Sequence, residues 1–199
     1  MKSFAVVSSL LLLGAATAQE VQSKPFELII ESAKKSYNGQ QLSACHTGAA
    51  IESLCLAGNS GTHFYLNTTK GEEAPIKGSG LPGTLVWNLP IGNEPTPVSE
   101  PMSFSVDPST NVAMPLFMPS YSEQQVTFGS DNLLGIYRYY DDTVTPPSDD
   151  KVSVLRNWYV CETNYSGYQY STLNWVLGDA KAKPQNPSCV KVQVKRKFI

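Results

Sequence analysis

Hydrophobic and polar residues alternate with a period of two over most of this chain, in short runs separated by Gly, Pro, Asn or Asp. Phe26-Glu27-Leu28-Ile29-Ile30-Glu31 puts Phe26, Leu28 and Ile30 on one face of a strand. Val190-Lys191-Val192-Gln193-Val194-Lys195 does the same with three valines, and that strand is expected to run on to Phe198. Further strands are expected at residues 41–46, 63–67, 84–89, 102–106, 112–117, 125–128, 133–140, 154–163 and 168–177. A strand about every ten residues with turn residues between is the pattern of an all-β fold, an antiparallel β-sandwich or barrel of many short strands.

Asn38-Gly39 reads as a hairpin turn, because both residues tolerate positive φ, and Thr47-Gly48 as a second turn. Residues 49–56 carry enough Ala for a helical turn, but their neighbours and the spacing of Cys45 and Cys55 suit a bridged hairpin better. Residues 92–101 hold three prolines, and residues 141–151 hold Pro146-Pro147 between two Asp-Asp pairs. Both read as exposed loops, since proline donates no ladder hydrogen bond. The chain also echoes itself. Phe64-Tyr65-Leu66 followed by Thr84-Leu85-Val86-Trp87-Asn88-Leu89 resembles Trp158-Tyr159-Val160 followed by Thr172-Leu173-Asn174-Trp175-Val176-Leu177. In each, Leu, Trp and Leu share a strand face, so Trp87 and Trp175 are expected in the core.

One segment breaks the period. Lys2, an apolar run from Phe4 to Leu13 and the A-x-A site Ala16-Thr17-Ala18 have the form of a signal peptide at residues 1–18, leaving 19–199 as a single secreted β-rich domain. The run is too short to span a bilayer and no second apolar segment follows. A secreted chain with an even count of four cysteines reads as two disulfides, with three connectivities open. Chain proximity favours Cys45 with Cys55 and Cys161 with Cys189. Two N-x-[ST] sequons, at Asn67 and Asn164, are candidate glycosylation sites. The formal net charge of −2 creates no field that would draw nucleic acid or an anionic membrane. Charged residues make up 16%, against 14 Gly and 14 Pro, which favours strands and tight turns over surface helices.

Catalytic signatures are scarce. His46 and His63 are the two histidines, and neither a G-x-S-x-G elbow nor H-E-x-x-H is present. Paired cysteines leave no thiol nucleophile, and His46 beside Cys45 matches no zinc spacing. Asp141-Asp142 and Asp149-Asp150 lack the frame of a calcium loop and read as a solvated acidic segment. No metal or cofactor is expected. A polysaccharide hydrolase would need two carboxylates, for which Glu27, Glu31, Glu52, Glu123 and Glu162 are nominal candidates. Nothing marks a pair among them, and outward strand glutamates mostly solvate a sheet.

Tyrosines crowd the later half. Tyr137, Tyr139, Tyr140, Tyr165, Tyr168 and Tyr170 are the candidate ligand face, because alternation cannot bury them all and exposed rings stack on sugars. The expected partners are a cell-wall polysaccharide or an extracellular protein. The basic tail Lys195-Arg196-Lys197 is also a candidate patch, although such lysines commonly guard a sheet edge.

Ala44-Cys45-His46-Thr47-Gly48-Ala49-Ala50-Ile51-Glu52-Ser53-Leu54-Cys55, Trp158-Tyr159-Val160-Cys161, Leu173-Asn174-Trp175-Val176-Leu177-Gly178 and Pro184-Gln185-Asn186-Pro187-Ser188-Cys189 together resemble small secreted cysteine-containing proteins of filamentous fungi, an uncharacterised domain family. The resemblance implies secretion and a fungal source, and supplies no activity or catalytic residue. The expected function is therefore that of a secreted, non-enzymatic surface or host-interface protein, with a carbohydrate-binding module as the alternative and a polysaccharide hydrolase behind it.

Overall fold

The alternating runs become fifteen strands in a computed structural model that describes residues 19–92, 95–120 and 122–199. The expected leader at residues 1–18 lies outside the described residues. In chain order the strands are β1 (Glu20–Gln22), β2 (Phe26–Glu31), β3 (Leu42–Gly48), β4 (Ile51–Leu56), β5 (Tyr65–Thr69), β6 (Gly83–Leu89), β7 (Val98–Ser105), β8 (Val112–Phe117), β9 (Gln125–Phe128), β10 (Leu134–Arg138), β11 (Ser153–Leu155), β12 (Trp158–Tyr165), β13 (Tyr168–Val176), β14 (Val190–Lys191) and β15 (Gln193–Phe198). Thirteen form one curled antiparallel sheet, a half-barrel, with β11-β10-β9-β6-β7-β8-β4-β13-β12-β14 side by side. β3 joins it through β4, and β1 through β5, while β2 and β15 form a separate ribbon. The described residues contain no helix.

The ribbon closes the concave side of the sheet. Its register runs from Phe26 opposite Phe198 to Glu31 opposite Gln193, and Phe26, Leu28, Ile30, Val192 and Val194 all turn into the core. Lys195 and Lys197 point outward to Glu31 and Glu27, at 3.0 and 3.6 Å. Exposed pairs of this kind contribute little.

At the centre Trp158 lies directly opposite Trp175, their rings 4.8 Å apart and inclined at 71°. Phe104 packs against both. Trp158 is fully buried and its indole N–H donates to the Leu134 carbonyl at 3.0 Å. The internal echo survives as geometry: Leu66 pairs with Leu85 and Tyr65 with Val86 in one hairpin, just as Val160 pairs with Leu173 and Tyr159 with Asn174 in the other. Both expected disulfides form, Cys45–Cys55 across the β3–β4 hairpin and Cys161–Cys189 from β12 to the segment before β14. Each contributes about 2–4 kcal/mol by the loop-entropy model.

Several expectations are corrected. The proline-rich stretch 92–101 is not wholly a loop, because Val98–Pro101 begin β7. Pro101 is the last β7 residue paired with β6, and Met102 is the first paired with β8. A missing N–H is harmless where a strand exchanges partners. Pro115 sits at the same kind of place, between the residues of β8 that pair with β13 and those that pair with β4. Asn38-Gly39 does not make a tight hairpin. Gly39 alone has positive φ, Asn38 Oδ1 caps the Ser32 amide at 3.0 Å, and the returning chain meets β2 only through a bridge of Gln41 with Ile29, while β2 pairs along its length with β15. The Thr47-Gly48 turn falls at Ala49-Ala50, with Ala50 at φ 51°. The strand expected over 154–163 breaks at Arg156-Asn157, where Asn157 turns inward and caps carbonyls of Val176, Gly178 and Asp179. The strand expected over 133–140 ends at Arg138, and the last strand is interrupted at Val192.

Trp175 is buried as expected, but Trp87 is half-buried on the wall of a groove of about 390 Å³ with His63, Tyr65 and Asn88. Trp158→Ala is expected to cost about 3–5 kcal/mol and Trp87→Ala less than half of that, read from urea unfolding midpoints. Equal losses would show that the half-barrel does not depend on the central indole.

Candidate functional site

The turn between β12 and β13 decides which side chains share a face. Ser166 and Gly167 occupy it with φ of 49° and 87°, the two positive values of a type I′ hairpin. Gly167 adopts this conformation without a Cβ penalty. The turn places Tyr165 opposite Tyr168 and Thr163 opposite Tyr170, so the three tyrosines lie on one face, with Asn164 and Gln169 on the other. The Tyr168 and Tyr170 rings are 6.2 Å apart and nearly parallel at 9°. His46, from the neighbouring hairpin, meets Tyr168 edge-on at 5.5 Å. Tyr168 is exposed, while Tyr165 and Tyr170 are half-buried.

A cleft of about 540 Å³ adjoins this hairpin end. Its lining includes Glu162, Asn164, Tyr165, Asn186, Asp107 and Thr110. Carboxylate, amide and hydroxyl groups around an aromatic ring suit a polyhydroxylated ligand, since each supplies a directed donor or acceptor.

The six tyrosines of the expected ligand face do not come together. Tyr137 is buried, its hydroxyl donating to the Gly80 carbonyl and meeting the Ser79 hydroxyl, both at 2.6 Å. Tyr139 and Tyr140 are exposed, but Tyr140 lines a cavity with Gly178 and Asp179, just past the end of β13. Tyr168 opens that strand, so the two groups stand about 30 Å apart at roughly 3.3 Å per residue. Of the two sequons, Asn164 is exposed near the hairpin tip. Asn67 is half-buried on β5, where it accepts the Gln22 amide at 3.0 Å.

The nominal hydrolase carboxylates scatter as well. Glu27 and Glu31 pair with lysines, Glu123 is solvated, and Glu162 accepts the Ser171 hydroxyl. Glu52 is the exception. It turns inward from β4, opposite His46 on β3 and Phe117 on β8, with Glu100 of β7 as its neighbour. Glu100 lies opposite Trp87 and is fully buried, and neither of its oxygens has a hydrogen-bond partner among the described residues. Burial first, and then the neighbouring Glu52 carboxyl, raise the Glu100 pKa from 4.5 to about 8. Glu100 therefore keeps its proton at neutral pH. Both residues are buried, so no sugar reaches between them. No cleft that opens on the hairpin includes either residue. The alternation-based reading of Glu52 as an outward residue is thus overturned, and Glu100 was hidden in a stretch that prolines marked as loop.

The profile of a family described as a domain of unknown function (DUF7907) matches residues 23–198. The chain belongs to this family. The match to DUF7907 runs from just before β2 to the end of β15, so the tyrosine face and the carboxyl pair both lie inside the DUF7907 domain. Searches of curated proteins and of solved structures find no match. The DUF7907 description carries no activity.

The carboxyl pair makes the stability of the DUF7907 domain depend on pH. The folded state holds the Glu100 proton more tightly than the unfolded chain does. Stability is then greatest below the ordinary value of 4.5, falls as pH rises toward about 8, and levels off above it. Unfolding midpoints measured from pH 4 to 9 are expected to show this fall, of order 3 kcal/mol, and Glu100→Gln to remove most of it. An identical pH profile in the variant would assign the effect to other groups.

Proposed function

We propose that this DUF7907 domain is a secreted, non-enzymatic module, of fungal source, that binds an extracellular polysaccharide at the β12–β13 hairpin end. The observation that carries the reading is the face formed by Tyr165, Tyr168 and Tyr170 beside a cleft of amide, hydroxyl and carboxylate groups. Parallel rings offer apolar faces to the C–H surface of a sugar, and the cleft offers hydrogen bonds to its hydroxyls. Secretion is supported by the leader pattern at residues 1–18, the two disulfides and the resemblance to secreted fungal proteins. A non-catalytic role is supported by the carboxylate positions. The neighbouring carboxyl groups of Glu52 and Glu100 are buried in the interior, out of reach of a sugar.

Retention on insoluble chitin, β-glucan and cellulose tests the proposal. The domain is expected to bind at least one of them, with little dependence on salt, because few charges take part. Tyr168→Ala with Tyr170→Ala should weaken retention about tenfold while the melting temperature stays near that of the parent, the loss of two stacking rings at about 1 kcal/mol each being ample for that factor. Absence of retention on all three, or equal retention by the double variant, overturns the tyrosine face as the binding site.

A further inference from the structure

Three arginines occur in the chain, and two have acidic partners: Arg138 meets Asp141 at 3.4 Å and Arg156 meets Asp131 at 2.9 Å. Arg196 has no carboxylate partner among the described residues. It sits on the wrong face for a charge. Along β15 the inward row is Val194, Arg196 and Phe198, facing Ile30, Leu28 and Phe26 of β2. Its guanidinium lies 4.4 Å from the Phe128 ring centroid, 4.5 Å from Phe198 and 5.6 Å from Phe26. Nη2 donates to Asn132 Oδ1 at 3.2 Å, while Nε is buried with no partner. Ring faces and one amide offset part of the cost of desolvating this cation, and a paired anion is what such a site ordinarily contains.

A pocket of about 240 Å³ opens beside it, with Val21, Leu66, Leu81 and Phe128 as apolar walls. The other polar groups of its lining are already used. Ser23 Oγ donates to the Lys24 carbonyl and accepts from the Leu66 amide, Thr68 Oγ1 donates to the Val21 carbonyl, and the Gly80 carbonyl accepts from Thr127 and Tyr137. Arg196 is therefore the lining residue with unspent donors. We propose that this pocket binds a small amphiphilic anion, a carboxylate on a short apolar body, with the carboxylate on Arg196 and the body against Leu66, Leu81 and Phe128. A planar fork matches a carboxylate bidentately, and the volume, below the roughly 300–1,000 Å³ of drug-sized sites, limits the body to a short chain or a single ring. The site is separate from the tyrosine face and stands whether or not polysaccharide binds there.

Titration calorimetry with octanoate, and with octanol as its uncharged counterpart, tests the assignment on the whole domain. Octanoate is expected to bind at least tenfold more tightly than octanol and to raise the melting temperature. Arg196→Gln should abolish that preference, and Val21→Trp, a change on an exposed strand at the pocket mouth, should weaken octanoate at least tenfold with Arg196 intact. An inward charge also guards a sheet edge. If that is its whole role, Arg196→Gln aggregates or shifts the melting temperature and wild-type octanoate and octanol bind alike. Equal affinities, no binding of either, an octanoate preference that survives in Arg196→Gln, or an octanoate affinity unchanged in Val21→Trp overturns the proposal.

Discussion

The indole N–H of Trp158 is the constraint from which the closed shape follows. Buried among apolar side chains, it must find an acceptor, because an orphaned donor there costs about 1–3 kcal/mol. Its acceptor is the Leu134 carbonyl, on β10. β10 and β12 lie near opposite ends of the sheet order, so this one bond brings the two flanks of the curl together. The Trp158–Trp175 pair and Phe104, from the middle strand β7, fill the space between. The β2–β15 ribbon then covers what remains, with the Arg196 amide donating to the Asn132 carbonyl just before β10.

Partner exchange is what lets a single sheet curl so far. β7 pairs first with β6 and then with β8, and β8 pairs with β13 at one end and β4 at the other. A strand whose ladder changes partners has one position at which no N–H is required, and Pro101 and Pro115 occupy those positions. The same exchange carries Glu100 inside. It belongs to the face that continues through Met102, which is fully buried, and no turn intervenes to let it out.

These two devices also mark the boundary of what the chain discloses as text. Period-two patterning identifies β2 and β15 and the correct inward faces of both, because one side of each meets solvent and the contrast is sharp. It weakens on β4, β6, β8 and β13, where residues of both faces are buried and alternation no longer distinguishes them. Proline hid the start of β7, since its usual meaning is an edge or a loop. The short chain separations of the cysteines did indicate the right pairs. The tyrosine cluster was legible as density alone. Which three share a face depends on the Ser166-Gly167 turn and on a β13 long enough to hold Tyr140 far from Tyr168, and neither distance nor register is written in local sequence.

Three charged residues, Glu52, Glu100 and Arg196, occupy positions where alternation calls for an apolar side chain, and they do not neutralise one another. Each is compensated locally and by a different means. Glu100 keeps its proton, which removes its charge at the cost of making stability fall with rising pH. Arginine has no such route, because its pKa stays above any physiological pH even though burial lowers it. Its charge is permanent, and the aromatic cage of Phe26, Phe128 and Phe198 offsets only part of the desolvation. A leucine in its place would extend the row of Val192 and Val194 without any such cost. An arginine held there, beside an apolar pocket whose other polar groups are satisfied, makes physical sense as one half of an ion pair whose other half arrives from solution.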